Sequence, residues 1–470
     1  MNAMNAMNIK TLTVVVALVL SGCASFSPDG GFASVEKTAQ TRLGKDVVWA
    51  RSDADQDRIS QRVAELLKKP LSVDDAVQVA LLNNRGLQAS FAELGIGEAD
   101  LVQAGRLPNP GFSLGRLTRG PEVEIERGLH FNLARLLAMP LIGPIEARRF
   151  QQTQNAVALN VLTLAADTRK AWVNAVAATE AVRYANQVKQ AADASAELAR
   201  RMEQVGNFNR LQRAREQSFS ADAALNVAHA EQAQRAGRER LTRLMGAWGA
   251  QTQFGLPERL PDLPKAPLDL PNVEQVAMAQ RLDVQAAALA AEQTAKNLGL
   301  TRTTRFINVL ESGAVRNGSN ELPTQRGWEV SFELPFFDWG GARVAKAEAV
   351  YMQTVNRAAE AAVNARSEVR EAYTGYRSAF DIARHHRDEI VPLRKQTSDE
   401  NLLRYNGMLI GVFELLADAR SQIASVNASI EALRMFWLAQ ADLDMSLIGK
   451  PSMSAASAPN MAAEPAAGAH

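Results

Sequence analysis

Trp328-Glu329-Val330-Ser331-Phe332-Glu333-Leu334 alternates apolar and polar side chains at every position. That period of two puts Trp328, Val330, Phe332 and Leu334 on one face of a strand and Glu329, Ser331 and Glu333 on the other. A strand with lipid on one side and water on the other reads this way. The stretch belongs to a predicted strand near 326–337, paired with one near 304–315 around the turn-rich Arg316-Asn317-Gly318-Ser319-Asn320. Two further strands fall near 111–118 and 126–136, joined by Arg119-Gly120-Pro121. Phe112, Phe131, Phe306, Trp328, Phe336 and Phe337 are candidates for an interfacial aromatic belt. Four strands do not close a membrane barrel, because single-chain barrels begin at about eight, and an open sheet in lipid leaves backbone groups unpaired. Closure therefore requires several chains, and three would supply twelve strands. On the strand pattern alone, a small soluble antiparallel sheet capping a bundle fits about as well.

The strand pairs are two copies of one plan. Val79-Ala80 followed by Asn84-Arg85-Gly86-Leu87-Gln88 reappears as Val276-Ala277 followed by Arg281-Leu282-Asp283-Val284-Gln285. Phe131-Asn132-Leu133 reappears as Phe332-Glu333-Leu334, and Gly206 and Gly407 each interrupt a long helical pattern. Three landmarks in the same order, all separated by close to 200 residues, indicate internal duplication. Each copy reads helix, strand pair, long helix, break, helix. The copies span 71–270 and 271–450, and a tail over 451–470 is Ala/Ser/Pro-rich and reads as disordered.

Ser72-Val73-Asp74-Asp75 reads as an N-cap with an acid at the third position, opening a helix that runs to about 105. The equivalent helix is expected over 273–300. Residues 145–205 contain neither Gly nor Pro, so about 60 residues at 1.5 Å rise form a rod of about 90 Å. Its counterpart spans about 342–405, with Gly375 and Pro392 expected to bend or unwind it. Shorter helices return over about 210–246 and 412–447. The rods are rich in Ala with Arg, Glu and Gln interleaved, which suits close side-by-side packing with water on both faces. They read as the wall of a helical barrel. A solvated coiled coil with no pore remains open on periodicity alone.

The N-terminus has Lys10, an apolar run over 11–20 and Leu20-Ser21-Gly22-Cys23. A basic residue, a short apolar core and small residues at the cleavage site make a secretory signal over 1–22, too short for the roughly 20 residues of a spanning helix. Cys23 is the single cysteine of the 470 residues, which suits a lipid attachment point better than a disulfide or a metal ligand. The segment resembles a bacterial lipobox, with 23–70 as a lipidated extension. The resemblance implies a diacylated or triacylated Cys23, and Ala24 in place of Asp implies sorting to the outer membrane. No other stretch reaches 18 consecutive apolar residues. The formal net charge of +1 offers no general electrostatic case for nucleic acid.

Ala104-Gly105-Arg106-Leu107-Pro108-Asn109-Pro110 before the first strand and Val330-Ser331-Phe332-Glu333-Leu334-Pro335-Phe336-Phe337-Asp338-Trp339-Gly340-Gly341 after the fourth carry a family likeness. Val391-Pro392-Leu393 and Leu416-Ala417-Asp418-Ala419-Arg420 add two more signatures. With these motifs in this order, the chain resembles the TolC-like outer-membrane efflux proteins over about 70–448. The resemblance implies a mainly α chain with a membrane β-barrel: a homotrimer with a twelve-stranded barrel in outer-membrane lipid and an α-helical periplasmic tunnel. It further implies partnership with a periplasmic adaptor and an inner-membrane pump of the resistance-nodulation-division (RND) type. A scaffold or adaptor lipoprotein without a channel is the alternative. The 121–126 loop is short for an outer face, and Leu133-Ala134-Arg135-Leu136-Leu137-Ala138-Met139-Pro140 departs from the family's Pro-Phe-Phe-Asp type of turn.

Under this resemblance Gly206, Asn207, Gly407, Met408 and Leu409 sit at helix reversals that form the periplasmic tip and dock the adaptor, while the glycines read equally well as simple helix stops. Glycine suits such a reversal because it adopts positive φ at little cost. Asp418 matches an acidic position lining the closed aperture, where three-fold symmetry makes a carboxylate ring. Arg404, Glu414 and Arg420 are expected to pair across helices nearby. Each of these charges also reads as an ordinary solvated surface group. His385 and His386 are adjacent, hence about 100° apart on a helix, and no HExxH, P-loop or nucleophile elbow is present. No catalytic residue, metal site or cofactor is expected beyond the lipid on Cys23. The exported substrate stays open between metal ions and drugs, with the 205–216 segment leaning towards a heavy-metal system.

Overall fold

The computed structural model describes residues 25–306 and 309–451. The expected signal segment over 1–22, Cys23 and all but the first residue of the 451–470 tail lie outside the described residues. Helices α1 (Ala33–Leu43) and α2 (Asp53–Leu66) precede the first copy. That copy comprises α3 (Val73–Asn83), α4 (Arg85–Ala104), β1 (Gly111–Arg119), β2 (Glu122–Asn132), α5 (Leu133–Gln204) and α6 (Arg210–Met245). The second comprises α7 (Val273–Gln280), α8 (Leu282–Thr304), β3 (Leu310–Ser319), β4 (Gln325–Phe332), α9 (Gly341–His385), α10 (Val391–Asn406) and α11 (Val412–Ile448). Among the described residues no helix is long and apolar enough to cross a membrane.

Ser72 caps α3 as its sequence indicates, its Oγ accepting from the Asp75 N–H at 3.1 Å. The helix expected over 72–105 is nevertheless two helices, and so is its counterpart. Asn84 (φ −69°, ψ 117°) and Arg281 (φ −68°, ψ 122°) break them with nearly the same backbone, 197 residues apart. Asn84 has a local reason: its Oδ1 accepts from the Leu87 N–H at 3.0 Å and its Nδ2 donates to the Leu244 carbonyl at 2.9 Å. At Arg281 the break delivers a guanidinium into the interior, where the side chain is 1% exposed. There it meets Asp283 at 2.7 Å and Glu368 at 2.6 Å. Burial opposes the charge, but the two carboxylates outweigh it and the Arg281 pKa is raised.

The long helix of the first copy is longer than the sequence suggests. It starts directly after β2, with Asn132 as its cap accepting from the Arg135 N–H at 2.8 Å, and carries Pro140 and Pro144 inside it. The strand expected to reach 136 therefore ends at Asn132, because the cap redirects the chain before the prolines are reached. At 72 residues it is a rod of about 108 Å. In the second copy the π-helical turn His386–Ile390 lies just before Pro392, so the local unwinding falls where that proline forbids a helical N–H bond, while Gly375 continues the helix. Helix α5 packs along α6 and α8, α9 along α8 and α11, and α11 against α5.

Burial concentrates where the helix pairs cross the rods. Val77, Leu81, Phe91 and Leu94 pack on Val157, Val161 and Leu162 of α5, and Val35, Ala39 and Val47 of the N-terminal extension join them. The Trp172 indole N–H closes an adjoining cluster by donating to the Leu71 carbonyl at 2.7 Å. In the second copy Tyr376, Phe380 and Phe436 form the corresponding core. The four strands form one antiparallel sheet in the order β1-β2-β3-β4, so the two copies meet at the β2–β3 seam. The turn expected over 316–320 is mostly strand: Arg316 pairs with Arg127 and Asn317 with Glu126. Asn320 ends the ladder instead, its side chain accepting from the Val123 N–H at 2.7 Å.

Replacing Arg281 by Ala leaves Asp283 and Glu368 facing each other across a buried gap, and breaking such a pair costs about 3–5 kcal/mol. Thermal unfolding of the Arg281→Ala protein is expected at a clearly lower temperature than wild type, and an unchanged transition would contradict this account.

Candidate functional site

Two regions bring functional side chains together: the sheet and the helix reversals at the far end of the rods. Strand register decides which side chains share a sheet face. The pairs Phe112↔Leu129↔Ala314↔Trp328 form one cross-strand row, with Phe131↔Ser312↔Val330 and Leu310↔Phe332 following it. The opposite face carries Glu122, Glu124, Glu126, Glu311 and Glu329. On the two central strands Arg127, Leu129, Phe131, Ala314 and Arg316 are exposed, whereas Gly128, His130, Gly313, Val315 and Asn317 are buried or half-buried. The sheet thus curls with its acidic face inward and its apolar face outward.

Of the six belt candidates, Phe112, Phe131 and Trp328 lie on that outer face and are exposed. Phe336 and Phe337 are exposed just beyond β4. Phe306, before β3, packs edge-on against Trp339 with centroids 6.0 Å apart. On the inner face His130 bridges two strands: Nδ1 lies 2.8 Å from Glu329 Oε1 and Nε2 2.8 Å from Ser113 Oγ. Glycine is required beneath that ring, since a Cβ on Gly313 would come within 2.8 Å of Nδ1. Gly111-Phe112-Ser113-Leu114-Gly115 satisfies the letter of G-x-S-x-G but runs straight through β1, without the strand-to-helix turn that presents a nucleophile. Among the described residues no three His, Cys, Asp or Glu side chains are grouped to hold a metal ion.

At the tip, the two reversals share one hydrogen-bond plan. The Asn207 N–H donates to the Met202 carbonyl and the Leu409 N–H to the Arg404 carbonyl, both at 2.8 Å. Each closes a six-residue loop of the Schellman type, which needs one left-handed residue. Gly206 supplies it at φ +79°. The expectation that Gly407 does the same fails, for Gly407 has φ −81° and Met408 takes the left-handed place at φ +60°. Met408 is the one non-glycine with positive φ among the described residues. The side chains of Met408 and Leu409 are 93% and 77% exposed. Met408 thus combines a left-handed backbone with a solvated apolar side chain, and Leu409 beside it is apolar and solvated as well.

Of the aperture candidates, Arg420 alone pairs across helices, and its partner is Glu216 on α6 at 2.7 Å. Glu216 is 3% exposed in its side chain, and its second oxygen accepts from Ser195 Oγ on α5 at 2.7 Å. Arg420 also lies over the Phe219 ring, 4.4 Å from its centroid. One carboxylate thereby ties α5, α6 and α11 together. Arg404 does not reach across; Glu400, one turn earlier on the same helix, holds it at 3.6 Å. Glu414 is exposed. Asp418 has one carboxylate oxygen buried without a hydrogen-bond partner in the chain. Sequence reading missed Glu216. The available signal was its distance from the reversal, three helical turns, nearly that of Arg420 in the other copy.

Family models and curated proteins show no match to the sequence. Solved structures do match. A membrane protein from Pseudomonas aeruginosa superposes with a TM-score of 0.69 at 17% identity, covering 80% of this chain and 92% of that one. The Vibrio cholerae outer membrane protein VceC gives 0.67 at 14% identity over 80% and 96%. The open state of the Neisseria gonorrhoeae MtrE outer membrane channel gives 0.66 at 19% identity over 80% and 89%. At such identities the likeness is one of fold, and the chain has the TolC-like fold.

Arg420→Ala would leave the Glu216 carboxylate beside a lone hydroxyl; because the Arg420 side chain is itself 37% exposed, the loss is expected at about 1–3 kcal/mol. The α6–α11 contact is expected to loosen, read as faster hydrogen exchange around 213–223. The charge swap Glu216→Arg with Arg420→Glu should recover much of the protection. Met408→Gly should raise the melting temperature, since it removes roughly 1 kcal/mol of left-handed strain; a lower melting temperature would show that the turn is not strained.

Proposed function

We propose that this chain is the outer-membrane channel of a tripartite efflux system, passively conducting what an inner-membrane RND-type pump delivers through a periplasmic adaptor. The observation that carries this reading is the division of one four-stranded sheet into an apolar outer face and an acidic inner face, with β1 and β4 unpaired along their outer edges. Such a sheet is stable in lipid only when its edges are paired. Three copies joined β4 to β1 would give a closed twelve-stranded barrel whose lumen carries the glutamates. The rods would then stand side by side as a tunnel. That structures with this fold are described as outer membrane channels supports the same role.

In this reading Cys23 is the acylated first residue of the mature protein and anchors it to the outer membrane. Met408 and Leu409, with Gly206, Asn207 and Gly407 shaping the turns, offer the adaptor an apolar foothold. The Glu216–Arg420 pair braces each protomer beside the aperture. Asp418, with its unpartnered oxygen, would contribute to a three-fold carboxylate ring that holds cations and resists narrowing. Arg404 and Glu414 would sit nearby as solvated charges. The exported substrate, metal ion or drug, would be chosen by the pump.

Native mass spectrometry of the detergent-extracted protein is expected to show a homotrimer with acyl mass on Cys23. In planar bilayers it should conduct and, under a KCl gradient, give a reversal potential of the sign set by a cation-selective acidic lumen. A stable monomer with no conductance would overturn the proposal.

A further inference from the structure

The outer face of the sheet carries no carboxylate, yet it carries four arginines. Leu114↔Arg127↔Arg316↔Arg326 is a single cross-strand row, and Arg116 stands one row above it beside Ile125. All four arginines are exposed, and none of their side chains has an ion pair or hydrogen bond among the described residues. The segregation is sharp. Every acid of the four strands points inward, and of their arginines only Arg119 does so.

Register makes this arrangement costly. Arg127 directly opposes Arg316, which directly opposes Arg326. Like charges directly opposite each other across a ladder repel, and here the same face offers no acid to relieve them. The row also has a definite height. Below it lie the Phe112/Leu129/Trp328, Phe131/Val330 and Leu310/Phe332 rows, followed by exposed Leu334 and Phe336. The six residue steps from Arg326 to Phe332, where β4 ends, reach about 20 Å at strand rise, or about 15 Å of depth at a tilt near 40°, so the strand itself supplies the upper part of an apolar band below the row. Above the row only Arg116, Thr118, Val123, Ile125 and Gly318 remain before the turns. The arginines therefore mark the upper rim of the apolar band.

We propose that this arginine row binds the phosphate groups of the anionic glycolipid in the outer leaflet. The inference rests on the barrel reading given above, which turns the apolar face towards lipid. Guanidinium forks match phosphate oxygens with paired, charge-assisted hydrogen bonds. Phosphates seated between Arg127, Arg316 and Arg326 would remove the repulsion that the bare row leaves. A glycolipid with several phosphates bridges adjacent arginines, which a phospholipid with one phosphate does less well. Three protomers would repeat the row around the barrel.

The test compares the full-length wild type with Arg127→Gln/Arg316→Gln/Arg326→Gln, each reconstituted in phosphatidylethanolamine vesicles alone, with lipopolysaccharide added, or with phosphatidylglycerol added. Native mass spectrometry after extraction reads bound lipid, and planar-bilayer recording reads the channel. Wild type is expected to retain lipopolysaccharide and the triple variant roughly tenfold less, reflecting the loss of three charge-assisted contacts, while both remain conducting trimers. Equal retention by the two proteins would overturn the site. Retention of phosphatidylglycerol as strong as that of lipopolysaccharide would overturn the glycolipid assignment. A wild type that is neither trimeric nor conducting would instead overturn the barrel itself. If the triple variant does not assemble, Arg316→Gln alone, flanked by both opposing arginines, serves as the comparison and should retain several-fold less glycolipid.

Discussion

Backbone N–H and C=O groups in hydrocarbon have no water to bond, so a sheet that enters lipid must have no free edge. This chain supplies four strands with two open edges, and most of its other features follow from that shortfall. On the channel reading proposed above the chain closes only through side-by-side assembly, and the rods suit that: α5 and the α9–α10 run are continuous over more than 60 residues and expose polar groups along their length. The buried clusters gather where the helix pairs cross the rods, so a protomer has a core of its own before any partner arrives. The sheet has almost none, and its stability comes from the ladder and from what surrounds it.

Charge placement follows the same logic at both ends. In the sheet, carboxylates turn inward and all arginines but Arg119 outward, a division that hydrophobic patterning alone does not require. At the tip, a single buried carboxylate, Glu216, holds helices from both copies through Arg420 and Ser195. Buried pairs of this kind add little net stability, because desolvation offsets attraction. Their effect is to make one arrangement of the helices distinct from its neighbours. Met408 and Leu409 at the neighbouring turn stay solvated, so the tip combines a cross-helix brace with an exposed apolar pair. The two copies have diverged here: the turn is kept by its hydrogen bonds while the left-handed residue changed from Gly206 to Met408.

The fold was largely legible in the sequence, and the tip was not. Period-two alternation at 328–334, the two-copy landmarks and the Gly/Pro-free run over 145–205 carried the strand pairs, the duplication and the rods. Boundaries failed in two ways. Asn132 starts α5 through a local cap on Arg135 ahead of two prolines. Asn84 and Arg281 split helices that read as continuous, and Asn320 rather than Arg316 ends β3, each through a distant partner that local propensity does not contain.

What the sequence determined by itself is periodic: which residues form strands or helices, that the plan occurs twice, and that the side chains of each strand divide into two kinds. Period alone sorts side chains within one strand but does not say which residues of different strands stand in the same row. That assignment is a matter of register, and only the tertiary structure aligned Arg127 with Arg316 and Arg326, and His130 with Glu329. It likewise chose Glu216 as the partner of Arg420, 204 residues away, over the nearer Glu414. Ion pairs are selected by distance in space and by what burial leaves unpaired, quantities a linear pattern does not carry.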